Sequence, residues 1–496
     1  MMIRVFAALT PLLLISCGGG GDDAGGGTPP AANAPPVFTS LQTASVAENS
    51  LLAYQATGTD PDGDALIFTI DGGADAERFS NRGVGEIEFR TRPDYELPGD
   101  ADGDNVYNVR IRLSDDKGNV LWQTVNITVT NSKEGITVKR VGTGFNQPVS
   151  LLRVSESSDV YVIEKGGTIY RLNPSTGVKT LFFTVGDLST DGEGGLLNMA
   201  GMPNPAISDR FLIYCTNAAG DIEIRLYGMV AGSRQLLDKI VVPHPGSNNH
   251  YGGAMNFADS PDGLVLYVGT GDGGGAGDPM TTSQNPFSRL GKILRIKVPI
   301  SPGSPATPLA PAPGNPYING GGDPYVWAMG LRNPFSATSE DIETLTIGDV
   351  GQGAIEELNI LKTENFMLPV QNFGWPYREG TQPYAGTAPA GLINPVLEYG
   401  HGTGPRQGRS IIAGYRYASG YVFGDFISGN IWTVRERFHL GETLPSSSFS
   451  RRNEDFQPDI GTIDQPVAFR KDFDGNLFIV DFDGDIFMVT FAANAT

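Results

Sequence analysis

At 496 residues the chain has room for two or three domains, and its 66 glycines and 35 prolines punctuate short strand-like runs, which argues for β-structure over helices. A formal net charge of −20 argues against a nucleic-acid partner, because nothing would neutralise the phosphates. The only cysteines are Cys17 and Cys215, so no disulfide framework is expected.

The first segment reads as a targeting signal. "MMIRVFAALTPLLLISC" has a basic start at Arg4 and an apolar stretch too short to span a bilayer as a stable helix. It ends Leu14-Ile15-Ser16-Cys17, which resembles a bacterial lipobox. That resemblance implies cleavage before Cys17 and lipidation of its sulfur; the alternative is an ordinary signal peptide that ends near a cysteine. More than one acyl chain makes such an anchor stable. Gly18 is not the aspartate that retains many such lipoproteins at the inner membrane, so the expected address is the outer membrane, facing the periplasm or the cell surface. The tract "GGGGDDAGGGTPPAANAPP", residues 18–36, is a tether that stiffens towards its prolines.

Residues 37–132 alternate apolar and polar side chains. In "YNVRIRLSD", Val109, Ile111 and Leu113 face one way while Asn108, Arg110 and Arg112 face the other. "VNITVTN" repeats this with Val125, Ile127 and Val129. Period two with one wet face predicts an antiparallel β-sandwich of immunoglobulin-like size. Acidic clusters lie between the strands: Glu48 in "VAENS", Asp60, Asp62 and Asp64 in "TDPDGD", Asp94 and Glu96 in "RPDYE". With them the segment resembles a bacterial cadherin-like domain. The resemblance implies calcium held by Glu48, Asp60, Asp62, Asp94 and Glu96, since a hard cation wants clustered oxygens. The other reading is that the Asp-Gly pairs simply make turns. A polysaccharide or protein partner would suit such a spacer.

From residue 136 onward the pattern changes to repeated hairpins. "SSDVYVIEKGGTIYRLNPSTG" places Val160-Tyr161-Val162 and Ile169-Tyr170-Arg171 around a Gly166-Gly167 turn, and "FDGNLFIVDFDGDIFMVTF" repeats the unit near the C-terminus. The offset from Tyr161 to Tyr170 equals that from Phe478 to Phe487. Such units, at about 60 residues each, predict a six-bladed β-propeller over residues 136–496. A strand near Ile136-Thr137-Val138 is expected to close the ring by joining the last blade, hiding an edge. Cys215, alone in "RFLIYCTNAAG", reads as a small core residue.

A propeller gathers its connecting loops at the mouth of a central channel, so functional residues should be scattered in sequence. The unusual connections are, in order, "DGEGGLLNMAGMPNP" with Glu193, "NNHYGG" with Asn249 and His250, "GTGDGGGAGDPMTTSQNPFSRLGKILRI", "VWAMGLRNPF" with Arg332 and Asn333, "IGDVGQGAIEELNIL" with Gly351 and Gln352, and "NFGWPYREG". This succession resembles the glucose/sorbosone dehydrogenase family, which includes pyrroloquinoline quinone (PQQ) dependent aldose dehydrogenases and Hedgehog-interacting-protein-like proteins. The resemblance implies a mouth that holds PQQ and calcium and an oxidation of a sugar's anomeric carbon to a lactone. It makes His250 the base that takes the hydroxyl proton, a task that suits neutral imidazole. It makes Arg332 a contact of the quinone, with Glu193, Asn249 and Asn333 as neighbouring cofactor contacts. The backbone carbonyls of Gly351 and Gln352 match positions that hold the family's calcium.

Three departures accompany the likeness. Soluble glucose dehydrogenases of the family carry a lysine where "FGDFISGNIW" has Ser428 and Gly429, and an arginine pair near the C-terminus with which Arg470 and Lys471 align poorly. Asn249 stands where aspartate is common. His401, in "YGHGTGPRQGRS", is either part of the substrate rim or a loop residue without a role. His244 and His439 lack zinc-like spacing with other ligands. "DGGGAG" leads into Pro279 and a polar loop instead of a helix, which argues against a dinucleotide site. A reading from another class stays open: a non-catalytic, calcium-stabilised propeller that binds glycans or proteins.

Overall fold

A computed structural model describes residues 32–492 except 154–156, 203–208, 261–262, 299–307, 340–342, 364–369, 418–419 and 473. Cys17, the signal segment and most of the tether lie outside the described residues. Two compact units are present: one comprises the residues up to Val46, Ser50–Arg92 and Gly99–Thr128, the other Ala47–Asn49, Pro93–Pro98 and the chain from Val129 onward.

The first unit is a sandwich of two main sheets, with a further short pairing of Val37–Phe38 and Gly58–Thr59. One sheet orders Thr43–Ala47, Val120–Thr130, Val106–Ser114 and Ile67–Ile70, and the other orders Leu52–Gln55, Glu86–Phe89 and Phe79–Asn81. The alternation read from the sequence sets its core: Val109, Ile111, Leu113, Val125, Ile127 and Val129 are all buried. Phe79 and Phe89 of one sheet meet Tyr107 of the other edge-on, at 6.0 and 5.1 Å between ring centroids.

The second unit is a six-bladed propeller. The first blade runs Pro148–Arg153, Val160–Glu164, Thr168–Leu172 and Lys179–Thr184. The later blades begin at Leu196–Gly201, Gly252–Ser260, Pro334–Ser339, Ile411–Tyr417 and Pro466–Lys471. These starting strands contact one another in succession, and the last contacts the first, so the ring is closed. The repeat seen in the sequence is a repeat of register: Tyr161 pairs with Arg171 in the first blade as Phe478 pairs with Met488 in the last. The blades are not equal. The third gains Ala310–Pro311 at its edge and Gln371–Asn372 in parallel with Val326–Met329. The latter strand comes from an excursion inserted in the fourth blade, between Ile355–Lys362 and Leu397–Gly400. Cys215 is fully buried and burial pushes its thiol up to about 12, as befits an inert core residue.

Ring closure works as the sequence suggests. Ile136–Gly142 adds to Ile486–Phe491 of the last blade, with Ile136 opposite Phe491 and Val138 opposite Val489. Ile136 and Val138 bury themselves with Phe456, Phe487 and Val489. Val138→Asp would force a carboxylate into this apolar layer and loosen the closing strand. The expected cost is about 3 kcal/mol or more, read as a drop of several degrees in the propeller's thermal transition. An unchanged transition would mean that the ring closes without this strand.

Candidate active site

The six starting strands run the same way along the channel, so their starts line one end of it and their ends the other. Residues before or at the strand starts line a cavity of about 940 Å3: Gln147 and Val149, Glu193 and Leu197, Asn249 and His250, Arg332, Asn333 and Phe335, Ser410 and Ile412, and Val467 among them. Residues at the strand ends line a second cavity of about 910 Å3, from Leu151–Arg153 round to Arg470, Lys471 and Asp472. Glu193, Asn249, His250, Arg332, Asn333, Gly351, Gln352 and His401 all line the first cavity. Arg470 and Lys471 line the second, which explains their poor fit to a cofactor-facing pair. Arg470 lies three residues past Val467, roughly 10 Å along the strand. Its guanidinium donates to Ser150 Oγ at 3.2 Å and Phe469 O at 2.8 Å.

His250 sits just before the inner strand of the third blade and is 3% exposed. Its Nδ1 lies 2.6 Å from Asp272 Oδ1. Asp272 is fully enclosed and also accepts from Gly274 N (2.9 Å) and, through Oδ2, from Trp375 Nε1 (2.9 Å). A carboxylate surrounded by donors acts as acceptor, so in the neutral ring Nδ1 carries the proton and Nε2 keeps a lone pair. The two loops lie very close: a Cβ on Gly271 would fall 1.9 Å from His250 O, so only glycine fits there. His250 itself has φ of 58°, a left-handed conformation that non-glycine residues rarely adopt. The long loop after Asp272 is pinned by the buried Lys292, whose Nζ donates to the carbonyls of Thr282, Ser283 and Leu290 at 2.7, 3.0 and 2.8 Å.

Arg332 is held next to this pair. Its carbonyl accepts Asp272 N at 2.8 Å. Its own amide and that of Asn333 donate to the buried Asp349, at 3.0 and 2.7 Å. Its guanidinium donates to Val350 O at 2.8 Å and to Gln352 Oε1 at 3.4 Å, and lies 5.8 Å from the Trp375 ring centre. Asp349 faces Glu357 across the next strand pair. Burial raises both carboxyls above their ordinary range, and their mutual repulsion adds to it for Glu357. Glu193 Oε2 accepts His250 N at 2.8 Å and Asn333 Nδ2 at 3.3 Å, tying the second, third and fourth blades together.

The turn at Gly351 and Gln352 is organised by a residue that sequence reasoning missed. The amides of Gln352, Gly353, Ala354 and Ile355 all donate to Glu379 Oε1, at 2.7, 2.7, 2.8 and 3.1 Å. In a trans peptide each carbonyl opposes the following amide. The carbonyls of Gly351, Gln352 and Gly353 therefore turn away from Glu379. Burial alone would raise Glu379, but the four amides outweigh it and hold its carboxyl below the ordinary range. The stability this lends is complete above the ordinary glutamate range and is lost as pH falls through the lowered value. Glu379→Ala would strand four amides, with an expected cost on the order of 3–5 kcal/mol, while Glu379→Gln keeps an acceptor and should cost much less. Thermal unfolding of the two variants checks this; equal and small effects would show that the turn holds itself. His401 lines the same cavity with its Nε2 2.7 Å from Glu356 Oε1, and Glu356 also accepts Ile411 N at 3.0 Å.

The five acidic residues expected to hold calcium fall in two places. Glu48, Asp94 and Glu96 bring carboxylate oxygens within 4.8 Å of one another. Arg452 enters this group, bonding to Glu96 and Glu134 and lying 2.9 Å from Asp455. Glu48 spends its oxygens on the amides of Tyr95 (2.9 Å) and Ser132 (2.8 Å). Burial pushes Glu96 up to about 9 against the pull of Arg452. Asp60 and Asp62 are not in that group. They form a turn in which Asp60 Oδ1 accepts the amides of Asp62 (2.8 Å) and Asp64 (3.3 Å), and Asp62 accepts Ala34 N at 2.6 Å. Of the expected five-residue set, Glu48, Asp94 and Glu96 belong to the second unit and Asp60 and Asp62 to the first.

Comparison with known proteins agrees with the fold. Residues 145–418 match the family model described as Glucose / Sorbosone dehydrogenase. The HIPL2 protein of Arabidopsis thaliana is 34% identical over 220 residues, which is 39% of this chain and 30% of that protein. The aldose sugar dehydrogenase YliI of Escherichia coli is 24% identical over 297 residues, 56% of this chain and 71% of that one. The chain thus spans less than a third of the length of the Arabidopsis relatives it matches. Among solved structures, the PQQ-bound form of an aldose sugar dehydrogenase from Streptomyces coelicolor superposes with a TM-score of 0.53 at 25% identity, covering 71% of this chain and 98% of that one. With the family model matched over more than half of its length, this chain belongs to the glucose/sorbosone dehydrogenase family.

Proposed function

We propose that the propeller is a PQQ-dependent sugar dehydrogenase that oxidises an aldose or oligosaccharide at its anomeric carbon to the lactone. The observation that carries this reading is the His250–Asp272 pair facing a cavity that Arg332 also lines. The cavity is within the ~300–1,000 Å3 range of small-ligand sites. Its lining suits a planar tricarboxylate: cationic side chains, the amides Asn249 and Asn333, and outward-turned carbonyls at Gly351 and Gln352 that fit a calcium ion. PQQ, when bound, supplies a two-electron quinone that accepts the hydride from carbon.

The chain's own residues do the rest. Nε2 of His250 takes the anomeric hydroxyl proton as the carbon–hydrogen bond breaks. Asp272 holds the ring in the one useful tautomer and stabilises the imidazolium that forms. Arg332 sets a fixed positive charge on the wall where negative charge develops. The proton then leaves His250 through the open mouth, and the two electrons pass to a periplasmic acceptor. Lipid attachment at Cys17 and an outer-membrane address are part of the proposal, supported by the lipobox-like sequence alone.

Aldose-dependent dye reduction by purified protein given PQQ and Ca2+ tests the reading. The second reading, a binding propeller without catalysis, draws on Ser428 and Gly429 replacing a lysine and on Arg470 facing the other end of the channel. It predicts glycan or protein binding with no dye reduction.

A further inference from the structure

We propose that Lys165 and Arg409 are the counter-charges that select a polycarboxylate cofactor here, replacing the cations missing from the late blades. This rests on the PQQ reading and adds to it the residues that would recognise the acid groups.

The cavity is positive on a chain of net charge −20. Its formally charged lining residues are Lys165, Arg332 and Arg409 against one carboxylate, Glu193. Glu193 is already engaged by His250 N and Asn333 Nδ2. The three cations are not bunched. Lys165 follows the second strand of the first blade, Arg332 precedes the fourth blade and Arg409 precedes the fifth. In a six-bladed ring the first and fourth blades stand across the axis from each other, so a planar anion lying over the mouth meets positive charge on both sides.

Arg332 cannot serve alone. Much of its guanidinium is committed to Val350 O and Gln352 Oε1. Lys165 has donors to spare: an ammonium has three, and one goes to Thr190 O at 2.8 Å. The acidic groups that bear on it are Asp191 and Glu193, and burial works against them on its charge. Arg409 is fixed at its backbone and open at its side chain. Its amide and that of Ser410 both donate to Asp425 Oδ2 at 2.7 Å, while among the described residues its guanidinium makes no hydrogen bond or ion pair. A rigid base with an unspent guanidinium suits carboxylate capture.

The test compares PQQ with its trimethyl ester, which keeps the ring system and loses the charges. Apoprotein with Ca2+ is titrated with each, following tryptophan quenching and quinone absorbance, for the wild type, Lys165→Met, Arg409→Met and the double variant. We expect each single variant to weaken PQQ binding about tenfold and the double variant about a hundredfold. Affinity for the ester and the thermal transition should stay unchanged. Wild type that binds PQQ while the variants bind it equally well overturns this proposal alone. So do variants that lose ester affinity in the same proportion, since that marks a role in shape. Wild type that binds neither compound overturns the PQQ reading, and this proposal falls with it.

Discussion

Replacing His250 by asparagine should lower aldose-dependent turnover by about 10³-fold, within the usual worth of a positioned general base, while leaving PQQ affinity nearly intact. Asparagine is a better probe than alanine. The residue has φ of 58°, and asparagine tolerates that conformation where alanine would add a backbone cost of about 1 kcal/mol. Asparagine cannot take the proton as an imidazole does, so fold and catalysis separate. The measurement is steady-state kinetics on folded, cofactor-loaded protein, with thermal unfolding as the control. Turnover within tenfold of wild type would remove His250 as the base.

The second large effect concerns Asp272, a positioning residue that acts through His250. Asp272→Asn should lower turnover by about 10²- to 10³-fold, since a carboxylate partner fixes both the tautomer and the charge of a histidine base. All the donors around Asp272 point at oxygen: His250 Nδ1, Gly274 N and Trp375 Nε1. An asparagine must turn its NH2 towards at least one of them. The split between binding and turnover distinguishes this from simple loss of packing: turnover should fall while PQQ affinity and the thermal transition stay near wild type. Loss of PQQ affinity or of the thermal transition in step with turnover would mean that Asp272 only holds the loop in place.

The sandwich and the propeller were legible because their signals are local. Alternation at Val109, Ile111 and Leu113 needs only a strand with one wet face, and the paired hairpins at Tyr161 and Phe478 need only a repeated turn. The closing strand at Ile136 was legible from the edge it hides. The cavity residues came from the order of the family's motifs, and those in the propeller do line one cavity. Asp272 and Glu379 were not found, though both lie inside motifs that attract notice. Their partners are amides and ring nitrogens on distant connections, and no spacing rule marks such a pairing in advance. Trp375 and Glu379 belong to the excursion of the fourth blade, whose return towards the site is a matter of tertiary packing. At the acidic clusters the turn reading applies to Asp60, and nothing in the sequence signalled that Arg452, hundreds of residues away, meets Glu96.

Reconstitution decides whether the propeller is a quinone-dependent sugar dehydrogenase. Purified apoprotein is mixed with Ca2+ and PQQ, the quinone spectrum is followed on adding a panel of aldoses, and dye reduction is recorded in parallel. We expect saturable PQQ binding, an aldose-dependent change in quinone absorbance, and dye reduction that falls about 10³-fold in the His250→Asn protein. Saturable binding of PQQ with no absorbance change and no dye reduction for any aldose would contradict it.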